Sequence, residues 1–334
     1  MNASIPESMV ALRTHALLPE RKGMALGEVS TPKPRPGQVL IQIRAASIGF
    51  PDLLMSHGGY QAKPHLPFIG GMDVAGEVAA VGDGVIHIAV GDAVTAMYGS
   101  GGFAQYAVYP AASVLPKPPS LSFARAAALG SAYLTAYVAL VRCAGIAAGD
   151  WLLVHGAAGG VGLATVDLGR ALGARVIAAA SSSEKRKVIA ADYTPEALLD
   201  NSVRFSGEVK AITGAGAHVT FDPIGGDTFT ESTRCIAFGG RLLVAGFASG
   251  TAASLATNIA LIKGFSVVGV RAGEYGRRFP ERGRENQTVI RSMAATGRIQ
   301  PRVHAELPFS RWQEAFNMLA DRTVIGRVVL VPDA

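Results

Sequence analysis

Residues 151–162 read Trp-Leu-Leu-Val-His-Gly-Ala-Ala-Gly-Gly-Val-Gly, and this stretch decides the fold. Trp151 to Val154 are a continuous apolar run of the length of a buried strand. A turn of small residues follows, and beyond it Val161, Ala164, Leu168 and Leu172 recur at helical spacing. A strand that passes through a side-chain-poor turn into a helix can bring its backbone close to a diphosphate. The helix start then offers unpaired N–H groups and a positive dipole end to that anion. The spacing Gly156-x-x-Gly159-x-x-Gly162 departs from the common Gly-x-Gly-x-x-Gly, and a lone triplet in a chain with 40 glycines carries little weight. Its place between strand and helix carries more, and it nominates Gly156, Gly159, Gly160 and Val161 as diphosphate contacts. The plainer alternative is a tight turn with no ligand.

The end of the next predicted strand, Arg175–Ala179, bears on the kind of dinucleotide. The chain continues Ala180-Ser181-Ser182-Ser183-Glu184-Lys185-Arg186. A site for an unphosphorylated ribose carries Asp or Glu here, about 20 residues beyond the glycines. Small hydroxyls followed by two cations suit a 2′-phosphate instead, so Ser181, Ser182 and Lys185 are predicted to hold NADPH in preference to NADH. Ser181 with Glu184 also reads as a capping box, with Lys185 and Arg186 solvated, and the two readings are compatible.

Working outward, apolar strands alternate with helical patterns at Trp151–Val154, Arg175–Ala179, Val219–Phe221, Leu242–Ala245 and Phe265–Val270. This alternation predicts a doubly wound parallel sheet with helices on both faces, an α/β Rossmann-type arrangement. It ends near Arg271, after which Ser310–Leu319 reads as an amphipathic helix and Arg327–Val331 as a last strand. Upstream, an alanine-rich helix runs from Ser122 to about Val141. The first third is different: strand candidates at Val39–Arg44, Asp73–Val78, Ala93–Met97 and Phe103–Val108, separated by Gly and Asp turns, predict a compact β-rich domain.

Composition narrows the classes. A length of 334 residues suggests two domains, and 49% hydrophobic with 17% charged residues excludes a disordered chain. Two cysteines, Cys143 and Cys235, supply neither a disulfide framework nor a four-thiolate zinc site, and both read as small buried apolar residues. The opening MNASIPESMVALRTH has no signal-peptide core, and the window Ala126–Val141 is read as short of a membrane span. A soluble, cytoplasmic protein is expected, with no membrane partner. The net charge is +6, and the densest basic cluster, Arg271 to Arg284, is read as a solvated surface with no nucleic acid partner expected.

The order of motifs resembles the medium-chain dehydrogenase/reductase superfamily, in particular its zinc-free quinone oxidoreductase branch. The resemblance rests on IGFPDLLMSHGGY at 48–60, PFIGGMDVAGEVAAVG at 67–82, the turn at 156–162, FDPIGGDTF at 221–229, GGRLLVAGFASG at 239–250 and IGRVVLVP at 325–332. It implies a GroES-like catalytic domain in two segments, 1–128 and 272–334, with an NADP-binding Rossmann domain at 129–271 inserted between them. It implies a homodimer or homotetramer joined through nucleotide-domain sheet edges, the segment here being Phe265–Val270. It also implies that Thr135, Gly246, Phe247, Val268 and Val270 border the nicotinamide end of the coenzyme, although core packing is the plainer role for the two valines.

Zinc-dependent members of the superfamily use Cys and His as metal ligands. By the resemblance, Phe50 and Met72 stand at those positions, and neither side chain replaces such a ligand, so no metal is expected. Alcohol oxidation then lacks an ion to stabilise the alkoxide, whereas reduction of an activated double bond remains feasible. The implied activity is hydride transfer from NADPH to a small-molecule electrophile, a quinone or an α,β-unsaturated carbonyl compound. Tyr60 matches the proton donor of related enoyl-thioester reductases, with packing or coenzyme contact as its alternative role. Gly49 and Leu54 replace the Asn and Tyr of bacterial quinone reductases, which leaves room for an enone, an enal or an enoyl thioester. Two alternatives stay open: an acyl-CoA enoyl reductase of the same fold, and a non-catalytic NADPH-binding protein of the crystallin-like or RNA-binding kind. His57 and His65 are assigned no role.

Overall fold

β-branched and aromatic residues at alternating positions make the first third of the chain sheet-forming. The computed structural model describes residues 5–97 and 99–333. In chain order it begins with β1 (Ser8–Thr14), β2 (Met24–Ser30), β3 (Gln38–Ile48), the short helix α1 (Phe50–Met55), β4 (Phe68–Ile69), β5 (Asp73–Val81), β6 (Ala93–Met97), β7 (Tyr106–Pro110) and β8 (Val114–Pro116). Helix α2 (Phe123–Tyr137) continues into a π-helical stretch, Val138–Cys143. The alternating region is β9 (Trp151–Val154), α3 (Gly160–Ala171), β10 (Arg175–Ala179), α4 (Ser183–Tyr193), β11 (Ala197–Leu199), α5 (Ser206–Thr213), β12 (Ala217–Asp222), α6 (Gly226–Ser232), β13 (Ile236–Val244), α7 (Thr257–Lys263) and β14 (Ser266–Gly269). Then come α8 (Ala272–Arg278), α9 (Pro280–Ala295), β15 (Val303–Pro308), α10 (Trp312–Ala320) and β16 (Arg327–Val331).

The chain divides into two units, Met1–Ser131 with Pro301–Ala334, and Ala132–Gln300. Helices α8 and α9 therefore belong with the parallel sheet, and the returning segment starts at Pro301 rather than at the expected 272. The first unit is built on a seven-stranded sheet in the order β15-β16-β3-β5-β6-β8, with β7 also pairing β3, beside a smaller sheet β2-β1-β4. Its core includes Leu12, Ile41, Ile43, Val74, Phe103, Tyr109, Phe309 and Phe316. Helix α10 presents Trp312, Ala315 and Phe316 to that core at helical spacing, and burying each large side chain contributes about 1.5–3 kcal/mol. The strand expected at Phe103–Val108 begins only at Tyr106. Phe103 and Ala104 turn toward β1, where the Leu12 N–H donates to the Phe103 carbonyl at 2.8 Å and Ala104 bridges Ala11.

The second unit holds six parallel strands in the order β11-β10-β9-β12-β13-β14. The chain winds outward from β9 to β11, then restarts at β12 on the other side. The strand order thus reverses between β9 and β12, where the carboxyl ends of parallel strands leave a crevice for a ligand. Leu152, Leu153, Val154, Ile177, Val219, Phe221, Leu242 and Leu243 are fully buried in this sheet, as continuous apolar strands covered on both faces should be. Phe123–Cys143 is, at 21 residues, long and apolar enough to cross a membrane, contrary to the reading of its central window; 72% of its most apolar window is buried inside the protein. Burial, and not shortness, marks it as a core helix.

Candidate active site

The glycine turn forms as the sequence requires. Gly156 adopts φ +58°, a left-handed backbone that a side chain disfavours. The turn closes through Gly159 N–H to the Gly156 carbonyl at 2.9 Å, and the Ala157 N–H anchors it to the Ala179 carbonyl at 3.1 Å. A Cβ on Gly162 would lie 2.0 Å from the Gly156 carbonyl oxygen, so only glycine lets α3 start this close to the turn. A Cβ on Gly159 would meet only that same oxygen, at 3.4 Å, and would fill space open to solvent. The first amides of α3, at Gly160, Val161 and Gly162, have no carbonyl one turn back within the helix. Gly159 is exposed and Gly160 and Val161 are half-buried, so the turn is an open, side-chain-free cradle suited to a diphosphate.

At the carboxyl end of β10, Ser181 is exposed and Ser182 and Lys185 are half-buried. The cap of α4 is Ser182, not Ser181: its Oγ accepts from the Lys185 N–H at 3.4 Å and donates to Glu184 Oε2 at 2.6 Å. The Ser183 hydroxyl donates to Glu184 Oε1 at 3.1 Å, and these serine contacts hold the Glu184 carboxyl down to about 2. Arg186 lies against the Ala180 carbonyl and pairs with Asp200 at 3.1 Å. Gly246 and Phe247 follow β13, held by the Ala245 N–H to Asp222 carbonyl and Ala248 N–H to Pro223 carbonyl bonds at 2.9 and 3.0 Å. Val268 and Val270, both half-buried, are in and just beyond β14. The predicted coenzyme residues from 156 to 270 thus gather on one rim, the carboxyl ends of β9, β10, β13 and β14. Thr135 is half-buried on α2 in the same unit.

Sequence reasoning missed Asp222 on this rim. It is buried, and its Oδ1 accepts the Ile224 and Gly225 N–H groups at 2.8 and 2.9 Å, folding the turn between β12 and α6. Burial pushes its carboxyl upward, against those two bonds. The DPIGG motif was the available signal: Asp two or three residues before turn amides is a local hydrogen-bonding pattern.

In the other unit Tyr60 is half-buried, and its hydroxyl bonds to no other described residue. Near the positions that match the metal ligands of zinc-dependent relatives, a buried charge cluster is found. Asp73 accepts from the Ser131 amide at 3.0 Å and from its hydroxyl, and is bound by the Arg327 guanidinium. Asp52 accepts the Gly49 and Gly71 N–H groups at 2.8 and 3.1 Å. Burial, reinforced by the charge of Asp73, pushes Asp52 up to about 6. Asp73 is also pushed up by burial while Arg327 pulls the other way. A Cβ on Gly49 would be 3.1 Å from Arg327 Nη1, so this glycine makes room for the guanidinium. A cation already sits on Asp73, Phe50 and Met72 offer no zinc ligand, and among the described residues no cluster of three His, Cys, Asp or Glu side chains is arranged for a metal. These residues do not fit zinc.

The remaining basic cluster is partly self-neutralised. Arg277 and Arg278 both pair with Glu274, and Arg282 reaches the Tyr275 hydroxyl at 3.2 Å. Cys235 is buried as expected, but Cys143 is only half-buried.

Comparison with known proteins agrees with this fold. Residues 35–119 match the alcohol dehydrogenase GroES-like domain family, and residues 160–287 match the zinc-binding dehydrogenase family. A quinone oxidoreductase-like protein 2 homolog of Nematostella vectensis is 37% identical over 88% of this chain and 81% of its own length. The crystal structure of a probable oxidoreductase from Mycobacterium abscessus superposes with a TM-score of 0.89 at 34% identity, covering 98% of this chain and 100% of that one. A mycobacterial protein solved in complex with NADPH gives a TM-score of 0.88 at 28% identity, covering 97% of this chain and 100% of that one.

Proposed function

The chain belongs to the medium-chain dehydrogenase/reductase superfamily, in its zinc-free quinone oxidoreductase branch, and from that premise we propose that this oxidoreductase is an NADPH-dependent reductase of quinones or α,β-unsaturated carbonyl compounds. One observation carries the reading: an open glycine cradle sits where the strand order reverses, and the neighbouring strand β10 runs out into Ala180 and serines, its first acid, Glu184, lying only within α4 and followed by Lys185. When bound, the reduced coenzyme supplies a hydride to the electrophilic carbon of the substrate. The amides of Gly160 and Val161, with Gly156 and Gly159, hold the diphosphate, and Ser181, Ser182 and Lys185 hold the 2′-phosphate. Thr135, Gly246, Phe247, Val268 and Val270 border the nicotinamide and its ribose. Charge then gathers on the substrate's carbonyl oxygen, and the Tyr60 phenol donates the proton that completes the two-electron reduction. An activated double bond suits the donor set at Phe50, Met72 and Asp73, which offers no Lewis acid.

We further propose a cytoplasmic protein, in keeping with two unpaired cysteines, that assembles as a homodimer or homotetramer. β14 is an edge strand; its Val267 is 42% exposed, and Phe238, Leu261 and Ile262 of the preceding elements are 86, 82 and 76% exposed. An apolar sheet edge of this kind calls for a cover. Sedimentation of a single species at monomer mass removes that part.

The deciding experiment follows NADPH oxidation across quinones, enals, enones and enoyl-CoA esters, with NADH as control. Consumption of NADPH with a quinone or an enone is expected. Tight NADPH binding with no turnover on any of them replaces the enzyme by a non-catalytic binder. On the best substrate Tyr60→Phe is expected to lose about 10²-fold in turnover, and unchanged turnover takes Tyr60 out of the chemistry.

A further inference from the structure

His155 is the last residue before Gly156, and its imidazole is fully buried. Three neighbours enclose it. Its Nε2 is 2.8 Å from Ser232 Oγ at the end of α6, and its Nδ1 is 3.5 Å from Asn201 Nδ2 just beyond β11. The Phe205 ring lies 4.9 Å away, centre to centre.

Counting protons fixes the tautomer. The Ser232 hydroxyl has one hydrogen and donates it to the Thr228 carbonyl, one turn back, at 2.7 Å. Its oxygen must therefore accept from the imidazole, so His155 carries its hydrogen on Nε2. Nδ1 is left as an acceptor, and it faces the amide N–H of Asn201. A second proton would set N–H against NH₂ with no carboxylate to compensate, and burial pushes the imidazole down to about 3. Among the described residues, none of the charged groups on the packing elements bonds to the imidazole, although Asp222 Oδ2 is buried without a partner. Asp200 binds Ser202 and Arg186, Glu231 accepts the Ser206 N–H and pairs with Arg234, and Asp222 Oδ1 takes two turn amides.

A histidine beside a phosphate cradle invites the role of a cationic ligand. We propose instead that His155 is a positioning residue: a permanently neutral imidazole that ties the diphosphate turn to α6 and to the segment after β11, giving the phosphates no charge of its own. The segment it reaches continues the rim on which the 2′-phosphate is placed, since the Ala180 N–H donates to Leu199 and Arg186 pairs with Asp200. The strap thus sets two parts of one binding rim with a single side chain. Its effect on coenzyme affinity rests on the proposed function; its tautomer and its hold on the turn do not.

The test uses the full chain. In ¹⁵N-histidine spectra, His155 is expected as the Nε2–H neutral form, unchanged from about pH 5.5 to 8; an Nδ1–H form, or a titration in that range, overturns the proposal. Amide exchange at Gly156–Gly162 is expected to accelerate at least tenfold in His155→Phe, which leaves Ser232 and Asn201 without their partner. In His155→Gln, whose amide supplies an N–H of similar reach, it should stay within about threefold. Calorimetry should show His155→Phe binding NADPH and NADH about tenfold more weakly, both alike, with kcat at saturation within about twofold and the loss appearing in KM. Equal exchange in all three proteins overturns the inference. Asn201→Asp provides a second handle where His155→Phe does not fold: its carboxylate should pull a proton onto Nδ1 and make the imidazole titrate near neutrality. A His155 that stays neutral in that variant also counts against the proposal. If the parent binds neither coenzyme, the proposed function fails, and the spectra and exchange still decide the strap.

Discussion

The glycine turn proposed to hold the coenzyme and the buried charge cluster do similar jobs by opposite means. Each fixes a backbone at the end of strands. The cradle does so by omission: Gly162 leaves out the side chain that would strike the Gly156 carbonyl, Gly156 takes a left-handed φ, and Gly159 keeps the turn open. The cluster does so by commitment: Asp52 and Asp73 each hold two main-chain or side-chain donors, and Arg327 neutralises Asp73. The first should fail when an atom is added, and the second when a partner or a proton changes.

The largest effect is therefore expected at Arg327. Arg327→Met removes the cation from a buried carboxylate and should destabilise the protein by about 3–5 kcal/mol in chemical unfolding. Adding Asp73→Asn should recover much of that, because the penalty lies in the unpaired charge. A double variant no more stable than Arg327→Met would mean that the guanidinium acts through packing alone.

The two regions also differed in how well the sequence disclosed them. The cradle lies within twelve consecutive residues, and β9, β10 and β16 have the bounds that apolar runs imply, because a buried strand and a small-residue turn are local patterns. In the sequence Asp73 reads only as the first residue of a strand. Its partners, Arg327 and Ser131, are 254 and 58 residues away in sequence, and no periodicity links them. The same limit explains Phe103, which reads as strand by alternation but is drawn to β1 by tertiary packing. The cap of α4 at Ser182 instead of Ser181 is a smaller miss: three consecutive serines offer equivalent caps, and the end of β10 selects among them.

Acidity should separate the regions with opposite signs. Asp52 is raised to about 6, so the folded state binds its proton more tightly than the unfolded one. Its contribution is present in acid and is lost as pH rises from the ordinary carboxylate value through about 6. His155 is lowered to about 3, so the unfolded state binds the proton more tightly, and stability grows as pH rises from about 3 through its ordinary value. Relative to the parent, Asp52→Asn should gain stability on going from pH 4 to 7, and His155→Gln should lose it. Each change should be on the order of 2–3 kcal/mol at about 1.4 kcal/mol per unit. Denaturant midpoints across that range decide it; parallel curves for both variants would remove the contrast.

An added atom tests the cradle directly. Gly162→Ala places a Cβ against the Gly156 carbonyl, and the overpacking should cost about 1–3 kcal/mol. It should also weaken NADPH and NADH together, since both share the diphosphate. Unchanged affinity in calorimetry would separate this turn from the coenzyme.

The smallest effect lies at the rim, where the two strategies meet in one side chain. Glu184 is an exposed carboxylate that takes the Ser182 hydroxyl hydrogen in a position beside the proposed 2′-phosphate. A phosphate bound there must win that hydrogen back and tolerate a like charge, and neither demand arises for NADH. Glu184→Gln should therefore tighten NADPH about twofold to fourfold, leave NADH unchanged, and lose the difference as salt rises toward about 1 M, because exposed charges are screened over a few ångströms there. An equal gain for both coenzymes would assign the effect to α4 itself, since Glu184 also sits in the first turn of that helix. No gain for NADPH would place the 2′-phosphate away from Ser182, and with it the argument that an acid-free strand end selects the coenzyme.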